Sequence, residues 1–479
     1  MENLEGKGEK TAGLVRQLGL FDSTMIMVGI IIGSGIFLTT GIMAKSIPSA
    51  SLILLAWIVG GLMTLAGALT FAELGAAMPE AGGQYVYLRE AYGPMAGFLF
   101  GWILFLVYLT GSIAALAVAF AEYFGYFFPS FSIQKEFFST TVNLFHHSVT
   151  YSLSWGQLVG LSAIALLTLF NYIGVAFGKM IQNVLTLIKI GTLLAIVVLG
   201  FSIGKGTAID FSLNPSSLSF GQLIVGFGVA LVAISWAFDG WNNINFVAGE
   251  MKNPQRNLPI ALILGTLLVT ALYALTNYVY LYALPMKDMI GVVRIAEKAT
   301  SVMFGGTTAA VISAAVMVSA FGSLNGTILA GPRVYYAMAR DRLFFPRVAE
   351  VHPRFRTPGF ALIIQAVWAS VLTLSGSFEQ LFTFAMFMAI IFWITAAAAV
   401  FTLRKKFPDL PRPYKTWGYP YVPIIFIIAS LGILINTLIE KPVESLTGLG
   451  ITALGIPVYY YWKRKKSREV PERSVGIQS

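Results

Sequence analysis

Long apolar runs follow one another along almost the whole chain, and they constrain its fold more than any other feature. The 479 residues are 57% hydrophobic and only 11% charged, whereas a soluble domain carries about 25% charged residues. A membrane-spanning helix needs about 20 consecutive, mostly apolar residues. Twelve runs meet this requirement, so the sequence predicts an all-α polytopic membrane protein with twelve transmembrane helices.

Basic residues are concentrated in alternate connections between these runs, and this pattern predicts the orientation. Cytoplasmic loops of membrane proteins carry an excess of Lys and Arg, and most of the 32 basic residues, including those of both termini, fall on one side. We therefore expect a multi-pass protein of the plasma (inner) membrane with both termini cytoplasmic. This topology accounts for the net charge of +10, so membrane lipid is an expected partner and nucleic acid is not.

Composition excludes several classes of site. The chain has no cysteine and only three histidines, which rules out disulfides, Cys-ligated metals and thiol catalysis. We expect no metal site and no cofactor, and the sequence lacks a Walker A motif for ATP. A multi-span membrane enzyme is a remote alternative, because the sequence shows no catalytic triad or paired carboxylates. The polar N-terminus also lacks the apolar stretch of a cleaved signal peptide.

The first apolar run is interrupted by Gly33-Ser34-Gly35, directly after three isoleucines. A glycine inside a helix costs about 1 kcal/mol relative to alanine, and backbone that leaves the helix within a bilayer must line a cavity or bind a ligand. The amides freed at the start of the following half-helix, together with its positive dipole end, suit a carboxylate. Close packing against another helix is the alternative explanation for these small residues.

The sixth run contains a second interruption, from Trp236 to Asn242, with an acid, Asp239, inside it. Acidic residues within a membrane usually face a cavity or a partner, and carbonyls released near Trp236 and Asp239 would face a cation such as an ammonium group. The Trp236 ring could close over a ligand and offers a cation–π face. An interfacial aromatic belt is the alternative, although Trp236 lies near mid-span. Paired interruptions in two halves of a chain point to a transporter's binding site.

Lys189 is the one basic residue that the sequence places deep inside a run. A buried ammonium needs partners or loses its proton, and Ser319 and Ser323 in the eighth run are plausible partners. We expect either a structural cation that ties helices together or a proton-binding site. Serines in membrane helices also commonly bond their own backbone, and a lysine nearer the membrane surface would reach it by snorkelling.

Two acids, Glu73 and Glu80, follow the second run together with Gly82 and Gly83. They could control access to the inner mouth of a cavity. Turn and helix-cap chemistry is the interpretation that the sequence favours, because acids and glycines are common in such positions.

Taken together, these residues resemble the amino acid–polyamine–organocation (APC) superfamily and, within it, the L-amino acid transporter (LAT) family, as a bacterial-type member without a heavy chain. The similarity extends from about Leu18 to the last run. The motifs that carry it are Gly33-Ser34-Gly35-Ile36-Phe37, Glu73-Leu74-Gly75, Gly82-Gly83-Gln84-Tyr85, Phe238-Asp239-Gly240-Trp241-Asn242 through Glu250-Met251-Lys252-Asn253-Pro254, and Phe321-Gly322-Ser323-Leu324-Asn325-Gly326 with Arg333.

The resemblance implies a LeuT-type fold, in which helices 1–5 and 6–10 form a 5+5 inverted repeat, two further helices are peripheral, and helices 1 and 6 are broken. The expected divisions of the chain are a cytoplasmic N-terminal segment at 1–17, the first repeat at 18–203, the second repeat at 204–403, helices 11 and 12 at 404–462, and a basic cytoplasmic tail at 463–479.

The resemblance also implies an α-amino acid bound between the two broken helices. Its carboxylate would meet the amides around Ser34, Gly35 and Ile36, and its ammonium would meet the carbonyls of Ile31, Trp236 and Asp239. Trp236 takes the position of the family's aromatic gate, and Lys189 stands where sodium sits in sodium-coupled relatives, with Ser319 and Ser323 nearby. The implied substrate-binding residues are Ile31, Gly33, Ser34, Gly35, Ile36, Trp236, Ala237 and Asp239.

The expected function is therefore a sodium-independent L-amino acid transporter, most consistent with an exchanger (antiporter) that works by alternating access. A proton-coupled amino acid or polyamine importer on the same fold is the alternative, and a channel is disfavoured by the broken helices. Light chains of animal LAT transporters join a heavy chain through a loop cysteine, which this chain lacks. We expect no disulfide-linked heavy chain. The side-chain preference stays open among small neutral, large neutral and cationic amino acids.

Overall fold

The computed structural model describes residues 13–144, 147–213, 218–375 and 378–469. Residues 1–12 of the expected N-terminal segment and 470–479 of the expected tail lie outside the described residues. Helices account for most of the described chain. The prediction of a nearly all-helical membrane protein is confirmed, and the division of the chain into two inverted repeats stays a prediction.

The five spans of the first half include one that is broken and one that contains a π-helical turn at Leu104–Tyr108. A short helix, α4, lies between the second and third spans. The helices of this half are α1 (Leu20–Ile31), α2 (Gly35–Ser46), α3 (Ala50–Ala77), α4 (Gln84–Tyr92), α5 (Pro94–Ile103), α6 (Leu109–Phe127), α7 (Trp155–Ile173) and α8 (Val175–Ser202).

The second half begins with a broken span and carries two short helices, α11 and α12, in the connection that follows α10. Its helices are α9 (Phe220–Ala237), α10 (Pro254–Ala283), α11 (Met286–Met289), α12 (Ile295–Phe304), α13 (Thr308–Ala330), α14 (Pro332–Arg340), α15 (Gly359–Leu374), α16 (Phe378–Lys406), α17 (Tyr421–Glu440) and α18 (Pro442–Glu469).

All twelve predicted spans coincide with helices. Within the described residues, ten helical segments are long and apolar enough to cross a membrane, by length and composition. The other two predicted spans are α15, which is shorter, and α18. The tail expected from residue 463 instead begins as helix, since α18 continues to Glu469. Lys and Arg are good helix formers, and their charge is favourable at the negative end of a helix.

A β-hairpin is a departure from helix that the sequence did not predict. Strands β1 (Glu136–Leu144) and β2 (His147–Ser154) pair antiparallel in the connection between α6 and α7. Thr140, Thr141 and Val142 are β-branched residues that favour a pleated strand.

Both spans break where the glycines predict. Helix α1 ends at Ile31 and α2 begins at Gly35, with Ser34 as its N-cap. Helix α9 ends at Ala237, a turn follows in which Gly240 has a φ of 87°, and the chain continues as a 3₁₀-helix over Asn243–Glu250. A 3₁₀ stretch of this length is uncommon and often marks a functional hinge. The core of the molecule therefore contains two non-helical points, one in each half.

The start of the first span is fixed to the end of the sixth. Leu18 forms a parallel β-bridge with Met251, and Lys252 N donates to Leu18 O over 2.8 Å. We name the side of the molecule that carries Leu18 and the end of α18 at Glu469 the N face. Because α1 and the 3₁₀-helix are joined at the N face, the two breaks lie opposite one another in the interior.

Candidate functional site

The two breaks contact each other directly. A Cβ added to Gly35 would lie 2.8 Å from Ala237 Cα, and one added to Gly240 would lie 2.2 Å from Ile30 Cγ2. Side chains larger than hydrogen do not fit at either point, and the positive φ of Gly240 independently favours glycine. The glycines thus allow one half of the chain to approach the other at the break.

A cavity of about 160 Å³ lies beside this contact. Of the substrate-binding residues predicted from sequence, all except Ile36 line it; Ile36 is fully buried behind the first break. Helices α6 and α13 complete the walls, and the cavity extends away from the N face as far as Glu122. Polar lining comes from Ser34, Ser112, Glu122, Asp239, Asn243 and Thr327.

The first break presents free amides to this region. No backbone or side-chain acceptor for the N–H groups of Ser34, Gly35 or Ile36 exists in the part of the chain that the structure describes. Gly33 N instead donates to Ile31 O over 2.7 Å, and Phe37 N donates to Ser34 O over 3.0 Å. Unpaired amides at a helix N-terminus, supported by the helix dipole, form an anion site. Free amides are therefore present where the sequence predicts carboxylate binding, and the binding itself stays a prediction.

The second break contributes the opposite charge. Asp239 is partly buried and lines the cavity, and its Oδ1 accepts a hydrogen bond of 2.6 Å from the Tyr108 hydroxyl. Asp239 N donates to Trp236 O, and the partly buried Trp236 lies on the cavity wall. A carboxylate in a low-dielectric cavity is costly without a counter-charge, so this side of the cavity favours a cation.

The Ile31 carbonyl, one of the predicted ligands of the substrate ammonium, already accepts hydrogen bonds from within the protein. Ile31 O accepts hydrogen bonds from Gly33 N and, over 3.0 Å, from the Tyr273 hydroxyl. Tyr273 is fully buried and also donates to Ala237 O over 3.2 Å. This tyrosine therefore joins the two breaks through their carbonyls. A single tyrosine in an apolar run carries no sequence signal for such a role, which is why Tyr273 was not predicted.

Asn243 is a second residue that the sequence did not indicate. Its side chain is 2% exposed and lines the cavity, and its Oδ1 has no hydrogen-bond partner among the described residues. A buried, unpaired amide oxygen costs about 1–3 kcal/mol. The oxygen is itself buried beside the cavity, and a bound molecule that reached it would supply the missing hydrogen bond.

Lys189 and its predicted partners are brought together behind the first break. The ammonium is 1% exposed and donates to Gly29 O at 2.7 Å, Ile32 O at 2.8 Å and Ser323 Oγ at 3.0 Å. Ser319 donates to Ile32 O over 2.9 Å. These carbonyls belong to the last turn of α1, where the helix dipole is negative. The lysine thus neutralises the end of the first half-helix.

Several ion pairs lie on the N-face side of the site. Arg404 binds Glu73 in a bidentate arrangement at 2.8 and 2.7 Å, and Thr416 N also donates to Glu73. Glu73 is therefore bound to another helix and is not a helix cap, contrary to the interpretation favoured from sequence. Further pairs of the same face join Glu250 to Arg333 at 2.8 Å, Asp22 to Lys179 at 2.8 Å and Arg89 to Asp341 at 2.7 Å.

Arg89 lies outside the spans, on α4. Burial lowers its pKa, but hydrogen bonds to Asp341 and Glu90 outweigh this and raise the pKa above its usual value. The guanidinium therefore stays charged throughout the physiological range of pH.

Opposite the N face, Glu122 at the far end of the cavity pairs with Arg294 at 3.2 Å.

The described residues contain no group of three or more His, Cys, Asp or Glu that could hold a metal ion. The site instead combines an anion-binding backbone, a carboxylate and a small cavity. This combination matches a molecule that carries both charges.

The known proteins that are similar to this chain are amino acid transporters. A sequence model of the amino acid permease family matches residues 18–459. The chain is 36% identical to the serine/threonine exchanger SteT of Bacillus subtilis, over 95% of this chain and 98% of that protein. It is 31% identical to the human large neutral amino acids transporter small subunit 2, over 96% of this chain and 83% of that protein. Identity to the human b(0,+)-type amino acid transporter 1 is 28%, over 98% and 94%.

Proposed function

The chain belongs to the amino acid permease family, and we propose that within it the protein is a sodium-independent L-amino acid exchanger that works by alternating access. It is a multi-pass membrane transporter and not an enzyme. One observation carries the proposal. Free amides at Ser34, Gly35 and Ile36 lie on one side of the cavity and the Asp239 carboxylate lies on the other, so the two charges of an amino acid each have a binding partner.

The proposed substrate pose follows from charge. The α-carboxylate binds the free amides at the start of α2, and the ammonium binds on the side of Asp239 and the backbone of the second break. Trp236 covers the bound amino acid. Because both half-helices contribute, release of the substrate on either side requires only that one half-helix move relative to the rest.

Lys189 supports independence from sodium. In sodium-coupled transporters, carbonyls at the end of a half-helix coordinate the ion. Here the Lys189 ammonium already donates to the carbonyls of Gly29 and Ile32. The Lys189 ammonium is a permanent cation at this position, so no sodium ion has to bind there in each transport cycle.

We propose that small, hydroxylated amino acids are preferred substrates. The cavity is small, at about 160 Å³, and Asn243 offers an unpaired amide oxygen. A substrate hydroxyl donating to Asn243 would satisfy it, whereas a purely apolar side chain would leave it unpaired. The similarity to an exchanger of serine and threonine supports the same substrate class.

The proposed setting is the plasma (inner) membrane with the N face cytoplasmic, which follows from the concentration of Lys and Arg on that face. The conformation described here would then be closed to the cytoplasm, since the ion pairs of Glu73, Glu250, Asp22 and Asp341 lie there. We propose that the chain works without a disulfide-linked heavy chain, because it has no cysteine.

The test is exchange in proteoliposomes. Uptake of labelled L-serine should require unlabelled amino acid inside the vesicles and should be unchanged when choline replaces sodium. Uptake that proceeds into empty vesicles, or that needs sodium, would contradict the proposal.

A proton-coupled importer is the second candidate, and a specific observation favours it. Asp239 in the cavity and Lys189 behind the break are two ionisable groups next to the site. The same vesicles decide between the two mechanisms. Uptake driven by an imposed pH gradient in the absence of internal amino acid would select the importer.

A further inference from the structure

A basic hollow lies on the N face, between the turn after α14 and the end of α18. It has a volume of about 370 Å³, and three cationic side chains line it: Arg342, Lys465 and Lys466. No acidic residue lines it among those described, and none of the three cations forms an ion pair in the described part of the chain. Elsewhere on this face, the cations Arg89, Arg333 and Arg404 are each paired with an acid.

Aromatic packing gives the hollow fixed walls. Phe345 packs edge-to-face on Phe344 at 5.1 Å and on Trp462 at 5.3 Å. Phe344 and Trp462 are buried, at 4% and 7% exposure. Lys465 Nζ lies 5.4 Å from the centre of the Trp462 ring. The turn after α14 and the last helix are therefore held together, and the cations project from a packed surface.

The backbone at Arg342 is the most informative detail of the hollow. Leu343 N donates to Met338 O, and Arg342 N donates to Ala339 O, which is the hydrogen-bond pattern of a Schellman helix end. Arg342 occupies the left-handed position of this motif, with a φ of 61°, where glycine is usual. A strained backbone at a residue other than glycine points to a use for its side chain.

We propose that this hollow binds the phosphate of an anionic phospholipid in the leaflet at the N face. Three unpaired cations provide the charge, and Arg342 provides a planar donor group suited to phosphate oxygens. Basic pockets between helices at this depth are the sites that recognise anionic headgroups. The site is separate from the substrate cavity and does not depend on the proposed transport function.

The adjacent surface argues for a lipid and against free phosphate. Lys465 also borders a second hollow, lined by Pro457, Tyr460 and Tyr461. The two tyrosines are 49% and 61% exposed on α18, the last of the spans predicted from the sequence. Exposed tyrosines at the end of a span lie at headgroup level in a membrane. A lipid can place its phosphate among the cations and its glycerol and acyl chains against these rings, whereas inorganic phosphate gains nothing from them.

The experiment measures the thermal midpoint of the full chain in detergent with added phosphatidylglycerol, with phosphatidylcholine and with inorganic phosphate at equal concentration. Phosphatidylglycerol should raise the midpoint by several degrees more than phosphatidylcholine, and inorganic phosphate should not. The double variant R342G/K466A should lose most of this difference. Because Gly fits the left-handed position, this variant should fold at least as stably as the unsubstituted chain when no anionic lipid is present.

The matched control is R347A/K463A, which removes two exposed cations from the same face but from outside the hollow. It should keep the full effect of phosphatidylglycerol. Native mass spectrometry should likewise show retained phosphatidylglycerol on the control and less on R342G/K466A. Equal losses in the two double variants would show a general charge effect and overturn the proposal. A midpoint shift produced equally by inorganic phosphate would overturn the assignment to lipid.

Discussion

At the two helix breaks, individual side chains supply hydrogen bonds that the interrupted backbone lacks. At the end of α1, the carbonyls of Gly29 and Ile32 have lost their helical partners and are bound by the Lys189 ammonium. Between the two breaks, Tyr273 shares its hydroxyl proton between Ile31 O of the first and Ala237 O of the second. The amides of Ser34, Gly35 and Ile36 have no partner among the described residues, and we propose that the substrate supplies it.

Lys189 should matter for the movement of α1 more than for substrate affinity. Lys189→Ala removes the ammonium from two buried carbonyls and leaves them only the hydroxyls of Ser319 and Ser323 as donors, at a cost of about 1–3 kcal/mol, but it leaves the amides of the first break in place. We expect exchange in proteoliposomes to fall about tenfold or more, which corresponds to about 1.4 kcal/mol, with serine binding by the purified protein close to normal. Undiminished exchange would contradict a role for Lys189.

Asn243 should discriminate between substrates. Asn243→Ala removes the acceptor for a substrate hydroxyl, so the apparent affinity for L-serine should fall about tenfold, the effect of losing a hydrogen bond of about 1.4 kcal/mol. L-alanine, which has no hydroxyl, serves as the matched control, and its affinity should be unchanged. Equal losses for serine and alanine in competition assays would show that Asn243 acts only through packing.

At the scale of elements, the sequence indicated where helices break but not what holds the breaks together. Glycine flanking Ser34 and glycine following Asp239 mark places where a helix cannot continue comfortably, and both breaks occur there. Lys189 stood out because a charge inside an apolar run is rare. Tyr108, Tyr273 and Asn243 gave no comparable signal, because their roles arise from contacts between residues far apart in the chain.

Gly35 should be intolerant of substitution because of the contact between the breaks. The added Cβ of Gly35→Ala would lie 2.9 Å from Ala237 Cβ, and overpacking of this kind costs about 1–3 kcal/mol. We expect a loss of most exchange activity with the protein still folded in the membrane. Gly111→Ala is the matched control, since a Cβ there meets nothing within 4 Å. Near-normal exchange by Gly35→Ala would mean that the two breaks need not touch.

The whole molecule is asymmetric, with a tightly paired N face and a cavity that extends towards the other side. The sequence predicted only the outline of this asymmetry. The alternation of basic loops predicted which connections share a face, but the partners Glu73 with Arg404 and Glu250 with Arg333 are more than 80 residues apart in sequence. Neither periodicity nor composition specifies such long-range pairs.

Breaking an N-face pair should favour opening on that face. Glu73 is 3% exposed and binds both Arg404 and Arg412, so Glu73→Gln removes charge-assisted hydrogen bonds worth about 1.5–3 kcal/mol each. Because the chain has no cysteine, a single cysteine at Ser112, on the cavity wall, reports access. Labelling from the N face should increase in Glu73→Gln. It should not in the control Glu80→Gln, whose carboxylate is 64% exposed.

The central claim is that the two breaks together bind both charges of one amino acid. Its most direct test is protection of that same single cysteine, Ser112→Cys, from a thiol reagent in sodium-free buffer. L-serine should protect it, whereas ethanolamine, which lacks the carboxylate, and glycolate, which lacks the ammonium, should not at the same concentration. Protection by ethanolamine or glycolate equal to that by L-serine would contradict the claim.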